Sequence, residues 1–281
     1  MVNAKICFLG GGTMAASIIE RLVSDSVIAS SIIVVDRNDD KLNCLAQKFQ
    51  VQVTKVLDDG IDNADIILLC VKPQAMQALV KSVQRLCDKA KNPLFISIAA
   101  GITIQQFEHW LGAKTAIVRA MPNLPSVIGC GATALYANNE VSSQQREMAE
   151  HILRRIGVVT WLENEKLIDT VTAVSGSGPA YFFLMMEAMI ESAVSLGLTK
   201  KQAILLVTQT AFGAAKMALE NTRTLGDLRE NVASKGGATV AALKAFKHDD
   251  FKGIVHRAIT ANLKRSCELS KLFEGALTYE P

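Results

Sequence analysis

Two stretches of the chain place residues where they could do chemistry. The first, "ICFLGGGTMAASIIERL", sets Gly10, Gly12 and Ala15 at G-x-G-x-x-A spacing, directly after a short apolar run and at the start of a helical pattern (Met14, Ile18, Ile19, Leu22). This is the arrangement that binds a dinucleotide diphosphate. Gly10 would make the tight turn, Gly12 would let the phosphates approach, and Ala15 would let helix and strand pack closely. The helix start at Thr13 and Met14 would supply free N–H groups to the anion. A second apolar run ends in "VVDRNDD", where the ribose of such a ligand would lie. There Asp36 suits the 2′-hydroxyl of NAD, whereas Arg37 and the backbone of Asn38 suit the 2′-phosphate of NADP.

The second stretch is "LRENVASKGGATVAALKAF", residues 228 to 246. Leu228, Val232, Val240, Leu243 and Phe246 have helical spacing, yet Gly236 and Gly237 interrupt it, at a cost of about 1 kcal/mol each relative to alanine in a continuous helix. A helix broken there and restarted near Thr239 would present unpaired backbone N–H groups, which is a carboxylate site without side-chain cations. Thr239 would then either cap the restarted helix or offer its hydroxyl to a ligand. The four histidines fall in predicted surface helices or at their ends, and no His/Cys/Asp cluster has metal-ligand spacing, so no metal is expected.

The elements that must position these residues differ between the two halves. From Lys5 to about Leu162, short β-rich runs ("KICFLG", "IIVVD", "VQV", "DIILLCVKP", "LFISIAAG", "AIVRAMP", "ATALY", "VVTWL") alternate with helical patterns such as Leu42, Leu45, Ala46 and Phe49. That alternation predicts an α/β unit with a mostly parallel sheet. Its strand-end loops "VKPQ" and "AAG" put Val71, Lys72, Pro73 and Ala99 on the nicotinamide side of the ligand. After about Glu165 the strand signals stop. Pro179 opens one helix, Thr199 with Gln202 caps the next, Thr224 with Asp227 a short third, and "DDFKGIVHRAITANLKRSCELSKLF" forms another. The expected domains are therefore a Rossmann-like dinucleotide-binding domain, 1–164, and an all-helical domain, 165–281. Helix 179 to 197 is apolar around most of its circumference, which predicts dimerisation.

The 281 residues carry a net charge of only +3, with 49% hydrophobic and 20% charged residues, and no basic stripe for nucleic acid. Glu187 and Glu191 interrupt the greasiest stretch and argue against a transmembrane span. Six cysteines without a CxxC pair, and an N-terminus without signal-peptide organisation, lead us to expect a reducing, cytoplasmic setting.

The motifs "GGGTMA", "VKPQ", "SIAAGIT", "MPNLP", "GATALY", "AVSGSGPAY" and "LRENVASKGGATVAAL" occur in order, and the chain resembles the pyrroline-5-carboxylate reductases throughout. The resemblance implies NAD(P)H-dependent reduction of 1-pyrroline-5-carboxylate to L-proline, with NADP(H) as cofactor and NAD(H) as the alternative. It also implies a homodimer or a larger homo-oligomer such as a decamer. Carried over by position, Asn231, Ala238 and Thr239 look like substrate residues, Asn231 touching the cofactor as well. Ser234, Gly236 and Gly237 shape the loop, and Glu165 is a substrate-side carboxylate. Thr239 is the residue assigned to catalysis. Lys235 stands where proline is usual, Leu124 where threonine is usual, and Leu57 where an asparagine often faces the adenosine. No lysine lies between Lys166 and Lys200, so the helix after "GSGPAY" lacks the acid/base lysine of the related β-hydroxyacid dehydrogenases. A hydroxy-acid or other imine reductase of the same architecture, and a dinucleotide sensor without turnover, are the alternatives.

Overall fold

The computed structural model describes residues 4–25, 27–86, 92–112 and 114–275. Eight strands form one sheet among these residues: β1 (Ile6–Leu9), β2 (Ile32–Val35), β3 (Gln52–Thr54), β4 (Ile66–Leu69), β5 (Leu94–Ser97), β6 (Ile117–Met121), β7 (Gly131–Ala137) and β8 (Gly157–Trp161). They are the eight β-rich runs of the sequence. Their order is β3-β2-β1-β4-β5-β6-β7-β8, parallel as far as β6. Strand β7 then runs antiparallel to β6, and β8 parallel to β7. The order reverses between β1 and β4, and it is at such a switch point that open α/β sheets bind ligands.

Alternation along the strands feeds two cores. Ile6, Phe8, Val34, Leu68, Ile96 and Val118 face α1 (Thr13–Ser24) and α2 (Asp39–Phe49), and also α6 (Ser143–Arg154). Cys7, Leu9, Ile67, Leu69, Phe95 and Ile117 face α4 (Pro73–Leu86) and α5 (Ile104–Leu111). The central strands are buried on both faces, which is why they read as continuous apolar runs and not as alternating ones. A short α3 (Leu57–Ile61) leads into β4, and its Leu57 packs against the second core.

The remaining helices are α7 (Leu167–Val171), α8 (Gly178–Ser195), α9 (Lys200–Glu220), α10 (Leu225–Val232), α11 (Ala238–His248) and α12 (Phe251–Gly275). Capping boxes at Thr199/Gln202 and Thr224/Asp227 start α9 and α10. Between α7 and α8 the chain makes one π turn, Thr172–Gly176, in which Ser177 N–H donates to Thr172 C=O at 2.8 Å. Asn123 fixes that turn, since its Nδ2 donates to Ser175 C=O (3.0 Å) while its Oδ1 accepts from Ala132 N–H (2.9 Å).

The compact units differ from the expected division at 164/165. One runs to Ser177 and takes up the chain again from Asn262, and the other is Gly178–Ala261. The reason is local bonding. Ile168 and Ala173 are buried, Glu165 pairs with a residue of β6, and the second half of α12 returns to α7 through Ser266 Oγ, which donates to Asp169 Oδ1 at 2.7 Å. The helical unit buries Ala203 and Val207 but leaves Phe182 71% and Leu205 65% exposed, with Phe212 and Leu219 similarly open. Among the described residues no helix is long and apolar enough to cross a membrane.

Candidate active site

The glycine loop follows β1 at the switch point. Gly10 has φ +106°, and a Cβ there would stand 2.9 Å from the backbone of Cys70 and 3.0 Å from Val71 Cγ1. The turn therefore needs glycine both for its φ and for the closeness of the segment after β4. Gly10 N–H donates to Val35 C=O and Gly11 N–H to Asp36 Oδ2, both at 2.8 Å. Beyond these two amides the loop opens outward. Gly12 is the N-cap of α1, no side chain caps that helix, and a Cβ at Gly12 would meet nothing within 4 Å. Among the described residues no acceptor takes the N–H groups of Gly12, Thr13, Met14 or Ala15. Unpaired amides at the head of a twelve-residue helix, with open space before them, fit a diphosphate.

Asp36 ends β2 facing inward. Its Oδ1 accepts from Asn38 N–H at 3.0 Å, and Lys41 Nζ lies 3.7 Å from Oδ2. Partial burial pushes its pKa up, but the N–H bonds from Gly11, Asn38 and Arg37, together with Lys41, outweigh that and hold the carboxyl below the usual carboxylate range. The Asn38 amide, expected at a 2′-phosphate, is thus already engaged. Arg37 is exposed, and among the described residues no acidic group pairs with it.

Of the residues expected beside a nicotinamide, Val71 lies against Gly10 and Pro73 is the first residue of α4. Lys72 is exposed, and Ala99 is nearly buried with its N–H on Ser97 Oγ. Glu165 lies at the other end of this region, where its Oε1 accepts from Ile104 N–H (2.7 Å) and from Arg119 Nη1 (2.5 Å). Arg119 is only 5% exposed. The ion pair therefore joins the middle of β6, the N-terminus of α5 and the approach to α7. The sequence named Glu165 but gave no sign of its partner Arg119 beyond a lone cation inside the apolar strand "AIVRAM".

The interrupted helix lies in the helical unit. α10 ends at Val232 and α11 begins at Ala238, so the break falls at the glycine pair. Gly236 has φ +76°, and a Cβ on Gly237 would come 2.6 Å from Ser234 Oγ and 3.1 Å from Ser234 C=O. One glycine supplies the backbone conformation and the other the close approach. Gly237 N–H donates to Ser234 C=O (2.9 Å) and Val240 N–H to Gly237 C=O (3.1 Å). Between them the N–H groups of Ala238 and Thr239 have no acceptor among the described residues. Thr239 is the second residue of α11 and caps nothing, because Gly237 is the N-cap and no side-chain cap bond is made. Its hydroxyl is thus uncommitted to the helix. Asn231 and Ser234 are exposed on either side of the α10 C-cap, Ala233.

A family model described as pyrroline-5-carboxylate reductase dimerisation matches residues 165–269, and one described as NADP oxidoreductase coenzyme F420-dependent matches residues 5–101. A pyrroline-5-carboxylate reductase of Pseudomonas aeruginosa is 41% identical over 271 residues, covering 96% of this chain and 98% of that protein. The chain belongs to the pyrroline-5-carboxylate reductase family. Its relative in Vibrio alginolyticus, also a pyrroline-5-carboxylate reductase, is 39% identical and matched over its whole length. A solved pyrroline-5-carboxylate reductase from Coxiella burnetii superposes with a TM-score of 0.92 at 41% identity, covering 95% of this chain and 98% of that one. A Plasmodium falciparum pyrroline carboxylate reductase solved with NADP bound gives 0.84 at 26%, covering 96% and 99%.

Proposed function

We propose that the chain reduces 1-pyrroline-5-carboxylate to L-proline, the final step of proline biosynthesis, with NADPH as the preferred donor and NADH as the alternative. The observation that carries this reading is the pair of unpaired N–H groups at the head of α11, beside an uncommitted Thr239 hydroxyl. A small carboxylate on a ring fits there with no cation. The bound dinucleotide supplies the hydride. The imine nitrogen takes its proton from water beforehand, so the hydride meets an electrophilic carbon and the C=N electron pair moves onto nitrogen. The protein then has to orient more than to protonate. Ala238 and Thr239 N–H hold the carboxylate, the Thr239 hydroxyl donates to the ring nitrogen as the C=N electron pair arrives there, and Asn231 and Ser234 complete the loop. Gly236 and Gly237 keep that loop open. Glu165 spends Oε1 on Arg119 and Ile104 within its own unit and, among the described residues, leaves Oε2 open.

Gly10, Gly12, Thr13 and Met14 hold the diphosphate and Arg37 the 2′-phosphate, while Val71, Lys72, Pro73 and Ala99 wall the nicotinamide. The exposed apolar residues of α8 and α9 support a homo-oligomer built through the helical unit, from a dimer up to a decamer. The unpaired cysteines suit the cytoplasm. The test is oxidation of NADPH and NADH with pyrroline-5-carboxylate, set beside a panel of 2-keto acids. Turnover with the imine alone is expected; turnover with the keto acids alone would refute the assignment.

A further inference from the structure

An acid at the end of the second strand in a dinucleotide fold is ordinarily read as the group that grips the ribose 2′-hydroxyl and repels a 2′-phosphate. Here the carboxylate is turned to another use. Gly11 is buried, and a buried N–H needs an acceptor. Asp36 Oδ2 is that acceptor at 2.8 Å, across 25 residues of chain. The other oxygen takes Asn38 N–H at 3.0 Å. A Cβ built on Gly11 would touch Leu45 Cδ1 at 3.0 Å and lie 3.6 Å from Asp36 Oδ2. The Gly11 peptide is therefore held through its N–H by the carboxylate, with a core leucine of α2 crowding the place where a side chain would begin. The next four amides, Gly12 to Ala15, are the ones left open.

We infer that Asp36 is a positioning residue for the glycine loop: it fixes the Gly11 peptide so that the following amides face the diphosphate, and it does not read the ribose. This rests on the dinucleotide reading above. Its consequence is that the diphosphate, common to both cofactors, feels Asp36, whereas the 2′ position does not. The lowered pKa agrees, since the charge is already answered by backbone N–H groups and Lys41. An acid at this position is thereby compatible with NADPH.

The experiment is equilibrium titration of NADPH and NADH into wild-type protein, Asp36→Ala and Asp36→Asn, with the unfolding midpoint of each measured without cofactor. Asp36→Ala is expected to raise both Kd values by the same factor, about tenfold, equivalent to ~1.4 kcal/mol, with their ratio unchanged within about twofold. Asp36→Asn keeps one acceptor for Gly11 N–H and should fall between, which also serves if the alanine variant does not fold. A ribose-reading role would weaken NADH while leaving or tightening NADPH, and that result overturns the inference. So does a lowered unfolding midpoint with both Kd values unchanged, which would leave Asp36 as a fold element only. Wild-type protein that bound neither cofactor would overturn the dinucleotide reading itself, a different failure from either.

Discussion

Replacing Thr239 with alanine removes one hydroxyl and one methyl from the second position of α11. The hydroxyl caps nothing in the helix, so no capping energy is lost. Alanine has the better helix propensity, worth up to about 0.7 kcal/mol, and Thr239 is half-buried, so the lost methyl costs at most ~0.8 kcal/mol. These nearly cancel, and the unfolding midpoint should scarcely move. The carboxylate donors are main-chain N–H groups and survive the substitution. The remaining effect is on the ring nitrogen, where loss of a hydrogen bond strengthened at the transition state should lower kcat by about ten- to a thousandfold, ~1.4 to 4 kcal/mol. Thr239→Ser keeps the hydroxyl and should retain most activity. The assay is steady-state kcat with saturating NADPH for the three proteins, alongside Kd for proline, which should change much less than kcat. A folded alanine variant with near-wild-type kcat would refute the reasoning and leave protonation in solution as the whole of the proton chemistry.

Arg37→Ala should raise the Kd for NADPH about tenfold while leaving NADH within about twofold, because the exposed guanidinium meets only the 2′-phosphate; equal losses in a binding titration would sink that assignment. Glu165→Gln should destabilise the protein by about 2–4 kcal/mol in urea unfolding, since it leaves the buried Arg119 without its counter-charge, and Arg119→Met/Glu165→Gln together should recover part of the loss. Cys7 is fully buried and its thiol is pushed up to about 12 by burial. At pH 8 only about one part in ten thousand is thiolate, so iodoacetamide followed by mass spectrometry should mark the exposed Cys44 and Cys130 and spare Cys7 until the protein is denatured.

The strands of the α/β half were legible because each is a short apolar run between turn residues, while their order in the sheet leaves no local signature. The helix starts at Thr199 and Thr224 were legible because a capping box is a four-residue pattern. Pairings with no local pattern were not. Arg119 and Glu165 are 46 residues apart, and only the fold brings them together. The π turn at Thr172–Gly176 differs from α-helix by one residue per bond, which leaves no periodic trace over so short a run. The return of α12 to the first unit rests on single polar contacts such as Ser266 with Asp169. Thr239 looked like a cap because threonine favours that position, but a glycine N-cap leaves no side-chain signature, and Gly237 holds the position for its close approach to Ser234. Asp36 was legible as an acid at the right place, while the direction of its carboxylate was not.

A ligand site made of main-chain N–H groups has a peculiar mutational landscape. At Ala238 every side chain except proline leaves the N–H in place, so genetic drift can alter this position without erasing recognition of an anion, whereas Thr239 is held by its hydroxyl. The vulnerability is displaced to Gly236 and Gly237, and to Ser234, whose oxygen atoms stand where a Cβ on Gly237 would go. Substitutions at 234 and 237 are thereby coupled: a larger residue at 237 becomes tolerable only after room has been made at 234, and even then the Ser234 carbonyl at 3.1 Å remains. Lineages of this chain should therefore vary at Ala238 before they vary at the glycines preceding it.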